Sequence, residues 1–63
     1  MIKDWKLIGA YLIGGNALIT IQHKGTKDVL QLFGKSYKFR HLIENGFDEA
    51  IIEIVLLNYN LIK

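Results

Sequence analysis

Residues 17–23 alternate between apolar and polar side chains. Ala17, Ile19 and Ile21 recur at every second position, and Thr20 and Gln22 fall on the opposite side. Because successive side chains of a β-strand point to opposite faces, the pattern predicts a strand with one buried and one polar face.

Two further segments are typical of strands that flank this one. Residues 4–13 are rich in aromatic and aliphatic side chains, and residues 28–33 form a shorter run of the same kind. The intervening segments are rich in turn-forming residues, Gly-Gly-Asn at 14–16 and Lys-Gly-Thr-Lys at 24–27. This order predicts a three-stranded antiparallel meander.

The apolar period changes after the third strand and indicates a short helix. Ser36 is a suitable N-cap residue, and Phe39, Leu42 and Ile43 then share one helical face. Gly46 predicts the end of this helix, in the left-handed conformation, with the next residue folding back onto the last turn.

The segment 48–63 fits two structures. As a helix it has Asp48 as N-cap, Asn60 in a C-terminal cap like that of the preceding helix, and a broad apolar face of Ala50, Ile51, Ile54, Val55, Leu57, Leu61 and Ile62. As a strand it has an apolar face of Ala50, Ile52, Ile54 and Leu56. We favour the helix, because strands of more than about ten residues are uncommon.

Together these elements predict an α+β fold in one domain over residues 1–63. A three-stranded antiparallel meander is followed by a short helix and a second, C-terminal helix (alternatively a fourth strand), packed on one face of the sheet. The chain has no Cys, so disulfides and thiolate metal sites are excluded. Its 63 residues must therefore rely on a well-filled core or on a partner subunit.

The first strand carries apolar side chains on both of its faces. Strict alternation places Ile8, Ala10 and Leu12 on one face, and on the other it places Trp5, Leu7, Tyr11 and Ile13. One face packs against the helices, so the other needs a partner or remains as an exposed apolar patch. We expect Trp5, Leu7, Tyr11 and Ile13 to form a dimer or partner interface. The resulting hypothesis is that the chain is a small non-enzymatic protein-binding module that acts as a homodimer. Its biological role would be that of a regulator or inhibitor of a host protein, encoded by a phage or mobile element, which fits so small a chain.

The charge distribution supports an alternative hypothesis. The net charge is only +2, but the basic residues concentrate in the middle of the chain and the acidic residues from 44 to 53 follow them. Nucleic-acid binding would then use the basic patch at residues 24–40, with one aromatic side chain to stack on a base: Lys24, Lys27, Lys35, Tyr37, Lys38 and Arg40.

No motif in the chain predicts catalysis. Gly34-Lys35-Ser36 resembles the end of a phosphate-binding loop, but Val29 stands where the first glycine of that motif is required. Glu49 and Glu53 share a helical face without a histidine to complete a metal or acid–base site. We expect no enzymatic activity, no cofactor, no metal and no small-molecule substrate.

The segment 7–23 has no formal charge, with histidine neutral, which raises the question of a membrane segment. It is short for a membrane span, has two glycines in its middle, and its apolar run is minimal for a signal peptide. A cytoplasmic location without membrane association is therefore expected.

Overall fold

The computed structural model describes residues 1–62, in which three strands precede two helices. After a 3₁₀ turn at Ile2–Asp4, the strands are β1 (Trp5–Ile13), β2 (Asn16–His23) and β3 (Val29–Lys35). A second 3₁₀ turn at Ser36–Lys38 leads to α1 (Arg40–Glu44) and α2 (Asp48–Asn58). The α+β fold predicted from the sequence is confirmed.

The sheet is an antiparallel meander in the order β1-β2-β3. Gly14 and Gly15 form the two-residue turn between β1 and β2, and Gly14 adopts a φ of +60°, which glycine accepts without steric cost. Residues of the three strands align in rows across the sheet, and one row joins Ala10, Ile19 and Leu32. The regular pairing of β1 with β2 is interrupted between Leu7 and Gly9 by a β-bulge.

The core lies between one face of the sheet and the helices. The predicted alternation of β2 is confirmed, since Ala17, Ile19 and Ile21 are fully buried. They meet residues of the C-terminal half and the first residue of β1, namely Trp5, Phe39, Ile51, Ile52, Val55 and Leu56. Burying each large apolar side chain contributes roughly 1.5–3 kcal/mol, so this cluster is the main source of stability.

The short helix ends as predicted but begins differently. The N–H of Gly46, at φ +69°, donates to the Ile43 carbonyl at 3.2 Å, and the N–H of Phe47 donates to the Leu42 carbonyl at 2.9 Å, which is a Schellman cap. The prediction of Ser36 as N-cap is wrong, because this residue is buried and its N–H donates to the Gly15 carbonyl at 2.9 Å. Ser36 thus anchors the chain to the β1–β2 turn, and α1 starts only after the 3₁₀ turn.

The C-terminal segment is a helix, as favoured over a strand. This helix ends in the predicted Schellman cap, the second in the chain. Asn60 is at φ +59°, and the Leu61 N–H donates to the Leu56 carbonyl at 3.0 Å. Asp48 lies in the first helical turn rather than at the N-cap, because the cap of α1 already directs the chain into the next helix at Phe47. The buried face is rotated from the prediction, to Ile51, Ile52, Val55 and Leu56, and Leu57 and Leu61 are exposed.

The solvent-accessible surface of the chain is 4179 Å². This is close to the about 4,100 Å² that size scaling gives for a compact monomer of this mass. Within residues 1–62, no helix combines the length and the apolar character needed to cross a membrane. The uncharged segment 7–23 forms most of the β1–β2 hairpin.

Candidate interaction surface

The helices cover one face of the sheet and leave the other uncovered. We call the uncovered side the open face. The strand register assigns to it, from one end of the sheet to the other, the rows Lys6–Gln22–Val29, Gly9–Thr20–Gln31, Tyr11–Leu18–Phe33 and Ile13–Asn16–Lys35.

One of these rows is apolar over all three strands. Tyr11 is 60% exposed and Phe33 is 61% exposed, with the half-buried Leu18 between them. The Tyr11 ring lies along β1 over Gly9, since a Cβ built on that glycine would be only 3.0 Å from Tyr11 Cε2. Ile13, also more than half exposed, extends this apolar row towards the hairpin turn.

The β-bulge changes which side chains of β1 share a face. Trp5 and Leu7 lie on the helix side, where Trp5 joins the core, while Tyr11 and Ile13 lie on the open face. The expectation that these four residues share one face is therefore wrong. The extra residue between Leu7 and Gly9 reverses the alternation for the rest of the strand.

The rest of the open face is polar except for the exposed Val29, and it contains no acidic side chain. The Gln31 Nε2 group donates to Thr20 Oγ1 at 3.2 Å, and Lys6 and Lys35 lie at diagonally opposite corners of the face. The acidic residues 44–53 lie instead on or beside α1 and α2 and are exposed there. The two layers of the molecule thus differ in charge.

The basic residues proposed for nucleic-acid binding do not form one patch. Lys24 and Lys27 lie in the turn between β2 and β3, whereas Lys35, Tyr37, Lys38 and Arg40 follow from the other end of β3. At about 3.3 Å per residue, the length of β3 separates the two groups by roughly 20 Å. Tyr37, the predicted stacking residue, is 76% exposed and lies outside the open face.

His23 organises the turn that holds Lys24 and Lys27. Its Nδ1 atom accepts hydrogen bonds from the N–H groups of Gly25 at 3.0 Å and Thr26 at 3.1 Å. Its ring packs edge-on against Trp5, with the ring centroids 5.0 Å apart. His23 therefore has a structural role, since its hydrogen bonds hold the turn in place and its ring packs against Trp5.

The two edges of the sheet differ. At the β3 edge, the Tyr59 hydroxyl at the end of α2 donates a hydrogen bond to the Gln31 carbonyl. At the β1 edge, within residues 1–62, no hydrogen bond other than those of the β1–β2 ladder involves the backbone of Ala10 or Leu12. Within residues 1–62, the protein's own C-terminal helix thus occupies one backbone carbonyl of the β3 edge, whereas the β1 edge is available for pairing at Ala10 and Leu12.

Two further features bear on possible chemistry, a hollow at the start of α2 and the placement of the possible metal ligands. A hollow of about 330 Å³ at the start of α2 is lined by Gly46, Phe47, Asp48, Glu49 and Ala50. It offers two carboxylates and no histidine, lysine or hydroxyl side chain. Within residues 1–62, His, Asp and Glu side chains nowhere form a group of three that could hold a metal ion.

Leu18 and Phe33 belong to the candidate surface but were not identified from the sequence. Phe33 shares its alternation with Val29 and Gln31, which could have placed it opposite the buried side of β3. Gly9 was a second signal, because a glycine inside a strand often marks a bulge.

Comparison with protein families, with curated proteins and with solved structures finds no match to this chain.

Proposed function

We propose that this chain is a small non-enzymatic protein-binding module that acts as a homodimer and binds a partner protein through its open face. The observation that carries the proposal is the uncovered row Tyr11–Leu18–Phe33, extended by Ile13. Aromatic side chains are enriched in protein interfaces and at their energetic hot spots.

The energetics of this row favour binding. Two rings that are each about 60% exposed retain most of their apolar surface for a partner to cover. Covering the exposed fraction of each side chain contributes only part of the roughly 1.5–3 kcal/mol of full burial. Two rings and Ile13 therefore contribute part of the about 8 kcal/mol that a micromolar affinity requires.

The biological role that we propose is that of a regulator or inhibitor of a host protein, encoded by a phage or mobile element. A chain of 63 residues that presents one apolar surface can occupy a partner's surface without catalysing a reaction. The single open face supports this role.

Affinity capture with matched variants tests the proposal. Phe33→Lys places a charge in the apolar row, and Gln31→Lys places the same charge on the same strand and face, one row away. We expect a specific protein to be captured by the unmodified chain and by Gln31→Lys but lost with Phe33→Lys, with all three folded by circular dichroism. Equal capture by both variants would contradict binding through the apolar row.

Nucleic-acid binding at the same face is the second candidate function. It is favoured by Lys6 and Lys35 on a face without acidic side chains, beside aromatic rings on which bases could stack. Titration with a mixed-sequence single-stranded oligonucleotide separates the two candidates. Binding that weakens with salt, and that weakens further in Lys6→Gln and Lys35→Gln, would replace the protein-binding proposal.

A further inference from the structure

We propose that two copies of this chain pair through the free edges of β1, antiparallel and about a two-fold axis at Tyr11, to form one six-stranded sheet. This inference rests on the proposed homodimer and specifies how it assembles. The open faces of both copies then lie on the same side and remain free for the partner protein.

The orientation of the backbone N–H and C=O groups along β1 supports pairing at this edge. The two-residue turn closes on the pair Ile13–Asn16, and the residues that flank such a turn exchange hydrogen bonds. Hydrogen-bonded and non-hydrogen-bonded residue pairs alternate along an antiparallel ladder. Leu12 and Ala10 therefore belong to non-hydrogen-bonded pairs, and their N–H and C=O groups point away from β2. A second β1 strand centred on Tyr11 places Leu12 opposite Ala10 of the second copy, where both residues can exchange these bonds.

The side-chain sizes on β1 are complementary under the same symmetry. A two-fold interface requires that each residue fits its counterpart in both directions. Centring on Tyr11 pairs Leu12 with Ala10 on the helix side, a large residue with a small one. On the open face it pairs Ile13 with Gly9, where the Tyr11 ring that lies over Gly9 can pack against Ile13 of the second copy. Leu12 and Ile13 are exposed in the single chain, so the dimer covers apolar surface that the fold leaves in water.

The absence of charge makes β1 the suitable edge. Residues 7–13 carry no charged side chain and no proline, two features that block edge pairing in natural sheets. The β-bulge, a third such feature, lies between Leu7 and Gly9, at the end of the segment that pairs. Across the axis, Tyr11 lies beside Tyr11 of the second copy, and aromatic cross-strand pairs stabilise sheets. The apolar rows of both copies then join into one row across six strands.

Pairing through the open faces is the main alternative for the second copy. It would bury three polar or mixed rows, including the Thr20–Gln31 hydrogen bond and two lysines per chain, to cover a single apolar row. Interface cores are depleted in lysine, so the edge arrangement is favoured.

Cysteine cross-linking tests the geometry, because the chain contains no native cysteine. In a directly opposed, non-hydrogen-bonded pair the Cβ atoms are about 4.5–5.5 Å apart, close enough for a disulfide after slight adjustment. We expect Tyr11→Cys to form a covalent dimer under mild oxidation and Phe33→Cys, equally exposed in the same row, to remain monomeric on a denaturing gel. Cross-linking of Phe33→Cys at the same rate, or of neither variant, would overturn edge pairing.

Sedimentation of two charged variants separates the edge geometry from dimerisation itself. Tyr11→Lys places two like charges directly opposite each other, and we expect the dimer to dissociate at least about tenfold more readily. Phe33→Lys should leave the dimer unchanged, because Phe33 lies two strands from the axis. If both variants weaken the dimer, the open faces meet and edge pairing is wrong although the homodimer stands. If the unmodified chain never dimerises, the homodimer and the edge geometry both fail.

Discussion

At the scale of single residues, Gly9 and its neighbours determine which side chains of β1 are available. Strict alternation over residues 5–13 predicts one continuous face, but the extra residue at the bulge divides it. A bulge depends on how the partner strand aligns, which a single strand's pattern does not reveal. The bulge therefore leaves Tyr11 and Ile13 on the open face and places Trp5 and Leu7 on the helix side.

Lys27 is a non-glycine residue in a backbone conformation that favours glycine. It adopts a φ of +68° in the β2–β3 turn, a region that costs a non-glycine residue roughly 1–2 kcal/mol. Replacing Lys27 with Gly should raise the free energy of unfolding in urea by about 0.5–1 kcal/mol, because the relief exceeds the added entropy of the unfolded chain.

Lys24→Gly is the matched control, because it removes an equal charge from the same turn at a residue outside the left-handed region. It should destabilise the chain by about 0.5 kcal/mol through glycine's entropy alone. A Lys27→Gly variant no more stable than Lys24→Gly would show that φ at Lys27 is not a source of strain.

At the scale of elements, the helix ends were more predictable than the helix starts. Gly46 and Asn60 are followed by Phe47 and Leu61, and this local pattern specifies the two caps that the structure contains. The start of α1 was not predictable in the same way, because Ser36 is held by the distant Gly15 carbonyl. The predicted face of α2 was rotated because the neighbouring elements decide which residues of a mostly apolar helix are buried.

The hydrogen bond between the end of α2 and the β3 edge can be tested at this scale. Tyr59→Phe removes the hydroxyl that donates to the Gln31 carbonyl and should lower the free energy of unfolding by about 0.5–1.5 kcal/mol. Tyr37→Phe is the control, because Tyr37 is highly exposed and its hydroxyl has no hydrogen-bond partner within residues 1–62. Equal stability of the two variants in urea would contradict a stabilising role for the Tyr59 contact.

At the scale of the whole molecule, a chain of 63 residues with 19 Ile and Leu cannot hide all of its apolar surface. This excess of apolar residues is evident from the composition and predicts that part of the surface needs a partner. The location of that surface depends on the strand register, which places Phe33 beside Leu18 and Tyr11. The length of β3 separates the basic residues at 24–27 from those at 35–40, so they do not form the single patch that the sequence predicts.

Sedimentation of the unmodified protein over a range of concentrations tests most directly whether this chain forms the dimer that we propose. We expect the apparent mass to rise from 7.2 kDa at low concentration to twice that value at high concentration and to stop there. A closed two-fold pair explains such a limit, because each chain has one free β1 edge. A mass of 7.2 kDa at every concentration would contradict the account, as would growth beyond the dimer.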